Sequence, residues 1–440
     1  MGKKAVVLGG GGSRGSYQIG VWKALQELGF SPDIVTGTSV GAINGALMVQ
    51  QDYQLAEEMW QRLKTRDVMD VTVADRMEGA KDFTGNAGVF VSKMIQNGGA
   101  DPYPLERLLR SYIREETIRQ SPVAFGFVTV EYPKLEARQM TKQQVPPGEL
   151  VDYLMASAAC FPAMKAKLIG GKTYIDGGYS DNVPVKMAVE LGAEDLVAVD
   201  LEAIGVVRRM EFPQVRLRYL KSRWNLGPFL LFDSGTTARN IQLGYLETQK
   251  AFGLREGSLY TFLPGETQAL QRRIRRQMDL LLAKTGLYPI PSGGISPAQT
   301  RIRRKIRQLL DRPEGNLSQR EKVLACCEAA ARILGVSPLE AYTAAEMEKR
   351  VWARYDALER DAKQPPRILQ DQSAHALTHH LMGLERKLVL LYCCRCLDEM
   401  MAGRFSPAAA RALCSAATEE YLAALYLCGL KRRQERAGQK

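Results

Sequence analysis

The chain has 440 residues, which is long enough for two domains or one large one. Hydrophobic residues make up 45% and charged residues 25%, a composition that excludes a largely disordered chain. No apolar run approaches the roughly 18 residues of a membrane-spanning helix. The eight cysteines show neither the spacing of secreted disulfide proteins nor that of zinc sites. The opening Met-Gly-Lys-Lys leads into too short an apolar stretch for a signal peptide, so we expect a cytoplasmic protein.

Positive charge is concentrated in the second part of the chain. The formal net charge is +12, yet residues 1–264 contain 30 Lys and Arg against 29 Asp and Glu. Residues 265–440 contain 30 against 19, and eleven of these basic residues fall within 272–312. A neutral first part is therefore joined to a basic second part.

The first 260 residues alternate short β-type runs with helical patterns, which predicts an α/β domain with a mostly parallel central sheet. The stretch 79–99 is rich in glycine and weakly periodic, and we expect a loop or lid there. In chain order we predict strands over residues 4–8, 33–36, 124–131, 135–140, 167–175 and 195–201, with helices over 16–28, up to 49, 149–159, 184–191 and 236–252.

Beyond residue 265 the strand signals stop, and apolar residues recur at the three- and four-residue spacing of helices. The Pro-Ser-Gly-Gly-Ile-Ser-Pro stretch at 291–297 is typical of a turn or linker. We therefore predict two domains: residues 1–264 with α/β structure, and residues 265–440 with helices throughout.

Gly37-Thr38-Ser39-Val40-Gly41 forms a G-x-S-x-G motif between a predicted strand and a predicted helix. A nucleophile elbow places its serine on a tight, strained turn, and the flanking Gly37 and Gly41 let neighbouring backbone approach. The helix N-terminus also favours the negative charge that develops on Ser39. The alternative is a small-residue turn in which Ser39 only caps the helix.

The histidines limit which base can serve Ser39. They are His375, His379 and His380, all in the predicted helical region, and the α/β part contains none. A Ser-His-Asp triad therefore cannot be built within that part. Either Ser39 is not a nucleophile, or its base is a carboxylate or a lysine.

A run of glycines follows the first predicted strand and opens a helix: Gly9-Gly10-Gly11-Gly12-Ser13-Arg14-Gly15. It fits the G-x-G-x-x-G pattern of dinucleotide sites, but the second strand ends without the acidic residue that holds the ribose, and no Walker lysine is present. The other interpretation is an oxyanion hole. The N–H groups of Gly10, Gly11 and Gly12 would point at one anionic oxygen, with Arg14 adding positive charge.

The third element is Tyr174-Ile175-Asp176-Gly177-Gly178, which ends an extended segment. The following turn holds Asp176 in place and leaves room for a substrate. An Asp in such a position is also a common turn residue, so this motif alone does not establish a catalytic role.

Together and in this order, the three motifs resemble the patatin-like phospholipase family. That family pairs a G-G-G-x-R/K-G loop with a G-x-S-x-G elbow and a D-G-G/A motif, which correspond here to residues 10–15, 37–41 and 176–178. The family's A-S-x-A-x-P segment resembles residues 156–162. The resemblance covers residues 3–260. It departs from the family at Leu8-Gly9, where many members have an Asp before the glycines, and the helical region resembles no family we can name.

The resemblance implies a patatin-like three-layer α/β fold and a serine hydrolase of lipid esters, of phospholipase A, lysophospholipase or esterase type. It also implies a Ser39–Asp176 dyad, in which Asp176 takes the proton of Ser39 directly. The glycine loop and Arg14 would hold the oxyanion, and water would hydrolyse the acyl-enzyme. This chemistry requires no metal or cofactor.

Two other classes stay open: a catalytically silent lipid-binding scaffold of the same fold, and a nucleotide-binding protein that uses the glycine loop. We also expect residues 272–312 to contact an anionic membrane surface, with Ile274, Met278, Leu281 and Leu282 on the apolar side. The alternative is that these charges are solvated or pair with acids elsewhere in the fold. Aromatic residues are scarce among the charges, so nucleic acid is not expected as a partner.

Overall fold

The computed structural model describes residues 2–70, 92, 95–96, 98–208, 211–285, 297–312, 315–362 and 374–438. The chain divides into two compact units, Met1–Ala251 and Phe252–Lys440. The N–H groups of Ser258 and Tyr260 donate to the Glu328 carboxylate at 2.9 and 3.0 Å, so the segment after Ala251 belongs with the helices of the second unit. That residues 1–264 and 265–440 each fold as an independent domain stays a prediction.

Two predicted irregular segments fall largely outside the described residues. They are the loop or lid over residues 79–99 and the turn or linker over residues 291–297.

The first unit is built on an eight-stranded sheet. Its strands are β1 Lys3–Leu8, β2 Ile34–Thr38, β3 Ala124–Tyr132, β4 Glu136–Thr141, β5 Lys167–Ile169, β6 Lys172–Asp176, β7 Ala193–Asp200 and β8 Arg216–Lys221. The order is β5-β6-β3-β2-β1-β7-β8, and β4 also pairs with β3. The neighbouring strands β3, β2, β1, β7 and β8 are parallel to one another. Strands β4 and β6 pair antiparallel with β3, and β5 pairs antiparallel with β6. The predicted α/β class with a mostly parallel central sheet is confirmed.

Helices cover both faces of this sheet, which gives the three layers expected. Helix α2 (Val40–Val49) lies against Val35 and Phe125, since a Cβ added to its Gly45 would come 3.2 Å from Val35 and 3.0 Å from Phe125. On the other face, Val7 belongs to a buried cluster with Val185, the first residue of α8 (Val185–Glu190). The helices of this unit are α1 Ser16–Glu27, α2 Val40–Val49, α3 Tyr53–Arg62, α4 Thr65–Val68, α5 Tyr103–Tyr112, α6 Glu115–Gln120, α7 Leu150–Ser157, α8 Val185–Glu190 and α9 Ser234–Ala251.

One predicted extended stretch, residues 167–175, is a hairpin formed by β5 and β6. The chain reverses at Gly170 and Gly171, which adopt φ values of 56° and 78°. Glycine takes these left-handed conformations without the steric cost that a Cβ would impose.

The ends of β2 and β6 meet along one edge of β3. Strand β2 pairs with the first half of β3, up to Thr38 beside Val128. Strand β6 runs antiparallel to the second half and ends with Asp176 beside Thr129. Because both strands end at adjacent positions of β3, the residue after Thr38 comes next to the last residue of β6.

The second unit is helical in its described part, apart from two short parallel strands, β9 Thr261–Phe262 and β10 Ala341–Tyr342. No helix among the described residues is long and apolar enough to cross a membrane. The helices are α10 Glu266–Lys284, α11 Pro297–Leu310, α12 Gln319–Ile333, α13 Ala344–Asp361, α14 Ala374–Leu381, α15 Arg386–Met401, α16 Pro407–Ala416 and α17 Thr418–Gly438.

The basic segment directs its apolar side into the second unit. Ile274, Met278 and Leu281 of α10 are buried there. A side chain packed in a protein core cannot also enter a bilayer, so the expectation that this side faces a membrane is wrong.

Two buried glutamates take up part of the positive charge of this segment. Lys305 pairs with Glu419 and Arg273 pairs with Glu348, each at 2.7 Å. Burial alone would raise the pKa of Glu419, but hydrogen bonds from Lys305 and two arginines lower it to about 2. Lys305 and Arg273 therefore follow the alternative interpretation, in which basic residues of this segment pair with acids elsewhere in the fold.

Candidate active site

Ser39 occupies the turn between β2 and α2, with φ 56° and ψ −129°. A non-glycine residue at such a φ costs about 1–3 kcal/mol, so the surroundings must hold it there. The Ser39 N–H donates to Ser157 Oγ at 3.0 Å, and the Ser157 hydroxyl donates to the Val128 carbonyl at 2.6 Å. These two hydrogen bonds tie the strained turn to β3.

The two glycines of the motif are required by close packing. A Cβ on Gly37 would lie 2.3 Å from the Gly41 carbonyl oxygen, and one on Gly41 would lie 2.0 Å from the Leu8 carbonyl oxygen. A larger residue at Gly37 would push the end of β2 away from the start of α2, and one at Gly41 would push α2 away from β1. The G-x-S-x-G spacing therefore has a steric reason in this fold.

Asp176 is buried at the end of β6, beside the position that follows Thr38, and its carboxyl interacts with the Ser39 side chain. Its Oδ1 also accepts the Gly178 N–H at 2.7 Å. Burial raises the pKa of Asp176 to about 6, against the lowering effect of the hydrogen bonds from Ser39 and Gly178. A carboxylate with this pKa is ionised at neutral pH and is more basic than an ordinary Asp.

The glycine loop offers two N–H groups beside Ser39. Gly11 and Gly12 line the same cavity as Ser39, and their N–H groups donate to no acceptor within the described part of the chain. The Gly10 N–H is already used, because it donates to the Asn182 carbonyl at 3.1 Å. Of the three amides expected in an oxyanion hole, two are available and one is not.

The Arg14 side chain is engaged outside this cavity. Its Nε donates to the Gly227 carbonyl at 2.7 Å, and its Nη1 donates to the carbonyls of Leu201 and Glu202 at 3.2 and 2.7 Å. Burial lowers the pKa of Arg14, and the nearby Glu202 opposes this. Arg14 is not among the described residues that line the cavity. Contrary to the expectation, its charge is directed at three carbonyls of the neighbouring loops.

Asn182 was not singled out from the sequence, yet it connects the glycine loop to the turn after Asp176. Its carbonyl accepts the Gly10 N–H, and its own N–H donates to the Val206 carbonyl at 2.7 Å. The Val206 N–H in turn donates to the Gly178 carbonyl at 2.9 Å. Asn182 is buried and lines the cavity. No local pattern marks this residue, because its partners are distant in the chain.

A cavity of about 510 Å³ opens beside Ser39 and Asp176. Aliphatic and aromatic side chains make up most of its wall, and this composition suits the acyl chain of a lipid. They include Ile43, Met59, Trp60, Leu63, Leu105, Leu109, Phe161, Met164, Phe229, Leu230 and Phe232.

Cys160 is a second nucleophile type in the cavity wall. Burial, with a smaller effect of Asp176, raises the pKa of its thiol to about 12. The thiol therefore stays protonated at neutral pH, and a protonated thiol is a poor nucleophile. Ser39 has no chemical competitor at this position.

The histidines belong to the second unit. His379 and His380 lie on α14, and the ring of His380 packs against Tyr392 with centroids 5.7 Å apart. The first unit contains no histidine in its sequence. Among the described residues, no group of three or more His, Cys, Asp or Glu side chains is placed to hold a metal ion.

Part of the first unit is similar to proteins of one known family. Residues 6–189 match the family model described as patatin-like phospholipase. The chain is 28% identical over 210 residues to patatin-like phospholipase domain-containing protein 7 of Rattus norvegicus, which covers 45% of this chain and 13% of that protein. It is 30% identical over 260 residues to lysophospholipase NTE1 of Coccidioides immitis, covering 56% of this chain and 14% of that protein. The chain thus spans about one-seventh of the length of these relatives.

Among solved structures, VipD from Legionella pneumophila aligns with 14% sequence identity and a TM-score of 0.36. The alignment covers 96% of this chain and 91% of that one.

Proposed function

We propose that this chain, whose residues 6–189 belong to the patatin-like phospholipase family, is a serine acyl hydrolase that cleaves carboxylic esters of lipids. The observation that carries the proposal is that the strained Ser39 and the buried carboxyl of Asp176 lie next to each other in the wall of one apolar cavity. The name lysophospholipase, borne by one relative, supports a phospholipid or lysophospholipid as substrate.

Acylation begins when Asp176 takes the hydroxyl proton of Ser39 directly, because the two side chains are neighbours in the cavity wall. Ser39 Oγ then attacks the ester carbonyl carbon. The N–H groups of Gly11 and Gly12 donate to the oxygen that becomes negative, and their position in a largely apolar wall strengthens this interaction. When the tetrahedral intermediate collapses, Asp176 returns the proton to the leaving alkoxide, and the acyl group stays on Ser39.

Deacylation repeats these steps with water. Asp176 takes a proton from the water, the resulting hydroxide attacks the acyl carbonyl, and Ser39 leaves with that proton. In this scheme Gly10 and Arg14 are positioning residues. The Gly10 N–H donates a hydrogen bond to the Asn182 carbonyl, and the Arg14 side chain donates to the carbonyls of Leu201 and Gly227.

Two observations bear on the other classes of function. A silent scaffold has no need of a buried carboxyl with a pKa of about 6 beside a strained serine, so the dyad favours catalysis. A nucleotide would need the glycine loop to surround phosphates. The Gly10 N–H is already bonded, and the wall beside Gly11 and Gly12 is largely apolar, which does not suit a polyphosphate.

The lipid-hydrolase proposal is tested by profiling purified protein against phospholipid, lysophospholipid and neutral-lipid esters. The Ser39→Ala and Asp176→Asn variants should each lose product formation for the class that the parent protein cleaves. Asp181→Asn is the matched control, since Asp181 is also a buried carboxyl whose pKa burial raises to about 6, but it does not line the cavity. A parent protein that cleaves no ester class, or a Ser39→Ala protein that keeps most activity, would contradict the proposal.

We also keep peripheral contact with an anionic membrane as a proposal, now through charge alone. Arg272 and Arg276 are exposed on α10 and form no ion pair within the described residues. Replacing both with Gln should weaken binding to vesicles containing phosphatidylserine at low salt, because surface charge attraction is screened over about 10 Å at 0.1 M salt. Replacing Arg320 and Arg354, two other exposed arginines of this unit, is the charge-matched control. If the two double variants weakened vesicle binding equally, the proposal that α10 makes the contact would be contradicted.

A cytoplasmic location stays part of the proposal. All eight cysteines are free, and seven of them are buried in the second unit. Buried reduced thiols are typical of a reducing compartment.

A further inference from the structure

We propose that residues 203–208, here called the rim loop, insert into the leaflet of a phospholipid bilayer that faces the protein. This insertion places the opening of the cavity against the bilayer surface. The inference rests on the proposed lipid hydrolase function and specifies how the enzyme reaches a substrate that stays in an aggregate. It concerns the first unit and is separate from the charge-based contact of α10.

The rim loop exposes apolar side chains next to the cavity. Ile204 is 94% exposed and Val206 is 48% exposed, and both line the cavity that contains Ser39. Tyr179, 48% exposed, lines the same cavity. A single exposed aliphatic residue is ordinary, but an apolar rim continuous with an apolar cavity is typical of a contact site.

The base of the rim loop is held in place. The Val206 N–H donates to the Gly178 carbonyl and its carbonyl accepts the Asn182 N–H, at 2.9 and 2.7 Å. On the other side, Arg14 donates to the carbonyls of Leu201 and Glu202. Because both ends of the loop are hydrogen-bonded, Ile204 is presented to solvent by a fixed support. A preformed apolar tip loses little conformational freedom when it enters another phase.

The charges around the rim loop fit the phosphate layer of a bilayer. Arg208 is exposed, and its guanidinium is anchored by hydrogen bonds to the carbonyl and the hydroxyl of Ser180. The acidic Glu202 is offset by Lys221 at 2.6 Å. Apolar residues followed directly by a cation match an interface in which hydrocarbon lies beneath phosphate.

The bilayer is favoured over a protein partner because the rim loop and the acyl cavity are continuous. A lipid leaving the bilayer would pass from hydrocarbon along Ile204 and Val206 to Ser39 without exposing its acyl chain to water. A protein seated on the rim would instead close this path. We therefore assign the rim to the lipid surface, and the test distinguishes the two.

Binding is measured by cosedimentation with phosphatidylcholine vesicles, in the Ser39→Ala background so that no lipid is consumed. Ile204→Ser should weaken vesicle partition at least about tenfold, the effect of removing one buried Ile side chain. Binding that depends on Ile204 should persist in high salt, unlike binding through Arg272 and Arg276. The control is Leu217→Ser, since Leu217 is 41% exposed at the start of β8 and does not line the cavity.

A second readout does not depend on a loss of binding. In Ile204→Trp, made in the same background, the emission of the introduced tryptophan should shift to the blue when vesicles are added. Lipids with brominated acyl chains should quench this emission. Unchanged partition of Ile204→Ser, or an added tryptophan that stays in water, would overturn the proposal. A rim that binds vesicles while the parent protein cleaves no ester would leave this inference standing and contradict the hydrolase proposal instead.

Discussion

The Asp176 carboxyl at the end of β6 lies beside Ser39, which follows the end of β2, and its Oδ1 accepts the Gly178 N–H at 2.7 Å. The proposed base and nucleophile are therefore neighbours at the meeting point of β2 and β6. Gly178 fixes the carboxylate from the side of its own turn. Ser39 can pass its proton to Asp176 in a single transfer, and this transfer requires Asp176 to be ionised.

We expect hydrolysis to depend on pH with a midpoint near 6. Burial raises the pKa of Asp176 to about 6, and a base must be ionised to accept a proton. The value of kcat/KM for a soluble short-chain ester should therefore be high above the midpoint and fall about tenfold for each pH unit below it. A profile that stays flat down to about pH 4, the ordinary range of an aspartate, would contradict Asp176 as the base.

Asp181→Asn separates this profile from a second carboxyl. The pKa of Asp181 is also raised to about 6, chiefly by burial. Asp181 does not line the cavity, so the variant should keep the midpoint of the parent protein. A midpoint that disappears in Asp181→Asn would assign the titration to the wrong residue.

Asp176 should also make the folded state less stable at neutral pH. A folded pKa above the ordinary 3.8 means that the folded state holds the proton more tightly than the unfolded state. The stability this gives is fully present below pH 3.8 and is lost as pH rises through about 6. At about pH 8, Asp176→Asn should therefore unfold with a free energy higher by up to about 3 kcal/mol, the energy that corresponds to raising a pKa from 3.8 to about 6.

Urea unfolding of the parent protein and the variant at about pH 5 and about pH 8 measures this difference. Ser39→Ala is the control, because it keeps the carboxyl and should keep the pH dependence. The Ser39 hydrogen bond lowers the pKa of Asp176, so its loss should move the midpoint upward. The same pH dependence in Asp176→Asn and the parent protein would show that another group is responsible.

Arg14 provides a test between positioning and direct charge. Its guanidinium donates to three carbonyls, of Leu201, Glu202 and Gly227, so Arg14→Ala should lower the unfolding free energy by about 1–3 kcal/mol and lower kcat more than it raises KM. Arg14→Lys keeps the charge but lacks the planar set of N–H donors of a guanidinium. It should therefore restore little of the lost unfolding free energy or of the lost kcat. Full recovery of kcat by Arg14→Lys would instead support a charge acting directly on the oxyanion.

The histidines should be dispensable for the chemical step. The described His379 and His380 lie on α14 in the second unit, and His375 belongs to the same helix. Replacing all three with Ala should leave kcat for a short soluble ester within about twofold of the parent value. A loss beyond about tenfold in a variant with unchanged thermal unfolding would point to a histidine base, since removal of a general base costs on the order of a hundredfold or more.

The parts of this site that sequence patterns predicted are those set by local chemistry. The strand before Ser39, the helix after it and the glycines around it lie within a few residues of each other, so spacing alone indicates an elbow. The contacts of Arg14 were out of reach, because its acceptors lie 187, 188 and 213 residues away in the chain. Asn182 was missed for the same reason.

Two further differences between sequence and structure have different physical reasons. The spacing of Ile274, Met278 and Leu281 fits a membrane surface as well as a protein core, and only packing decides between them. Strand β8 was not predicted, because its basic residues hide the alternation of a half-buried strand.

The most direct test of the account is covalent labelling by a fluorophosphonate. Ser39 Oγ should displace fluoride and carry the phosphonyl group, and mass spectrometry should find the adduct on the peptide that contains Ser39. In Asp176→Asn, the labelling rate should fall on the order of a hundredfold, because the base that takes the serine proton is gone. An unlabelled Ser39 in a folded protein, or labelling that proceeds unchanged in Asp176→Asn, would contradict the Ser39–Asp176 dyad.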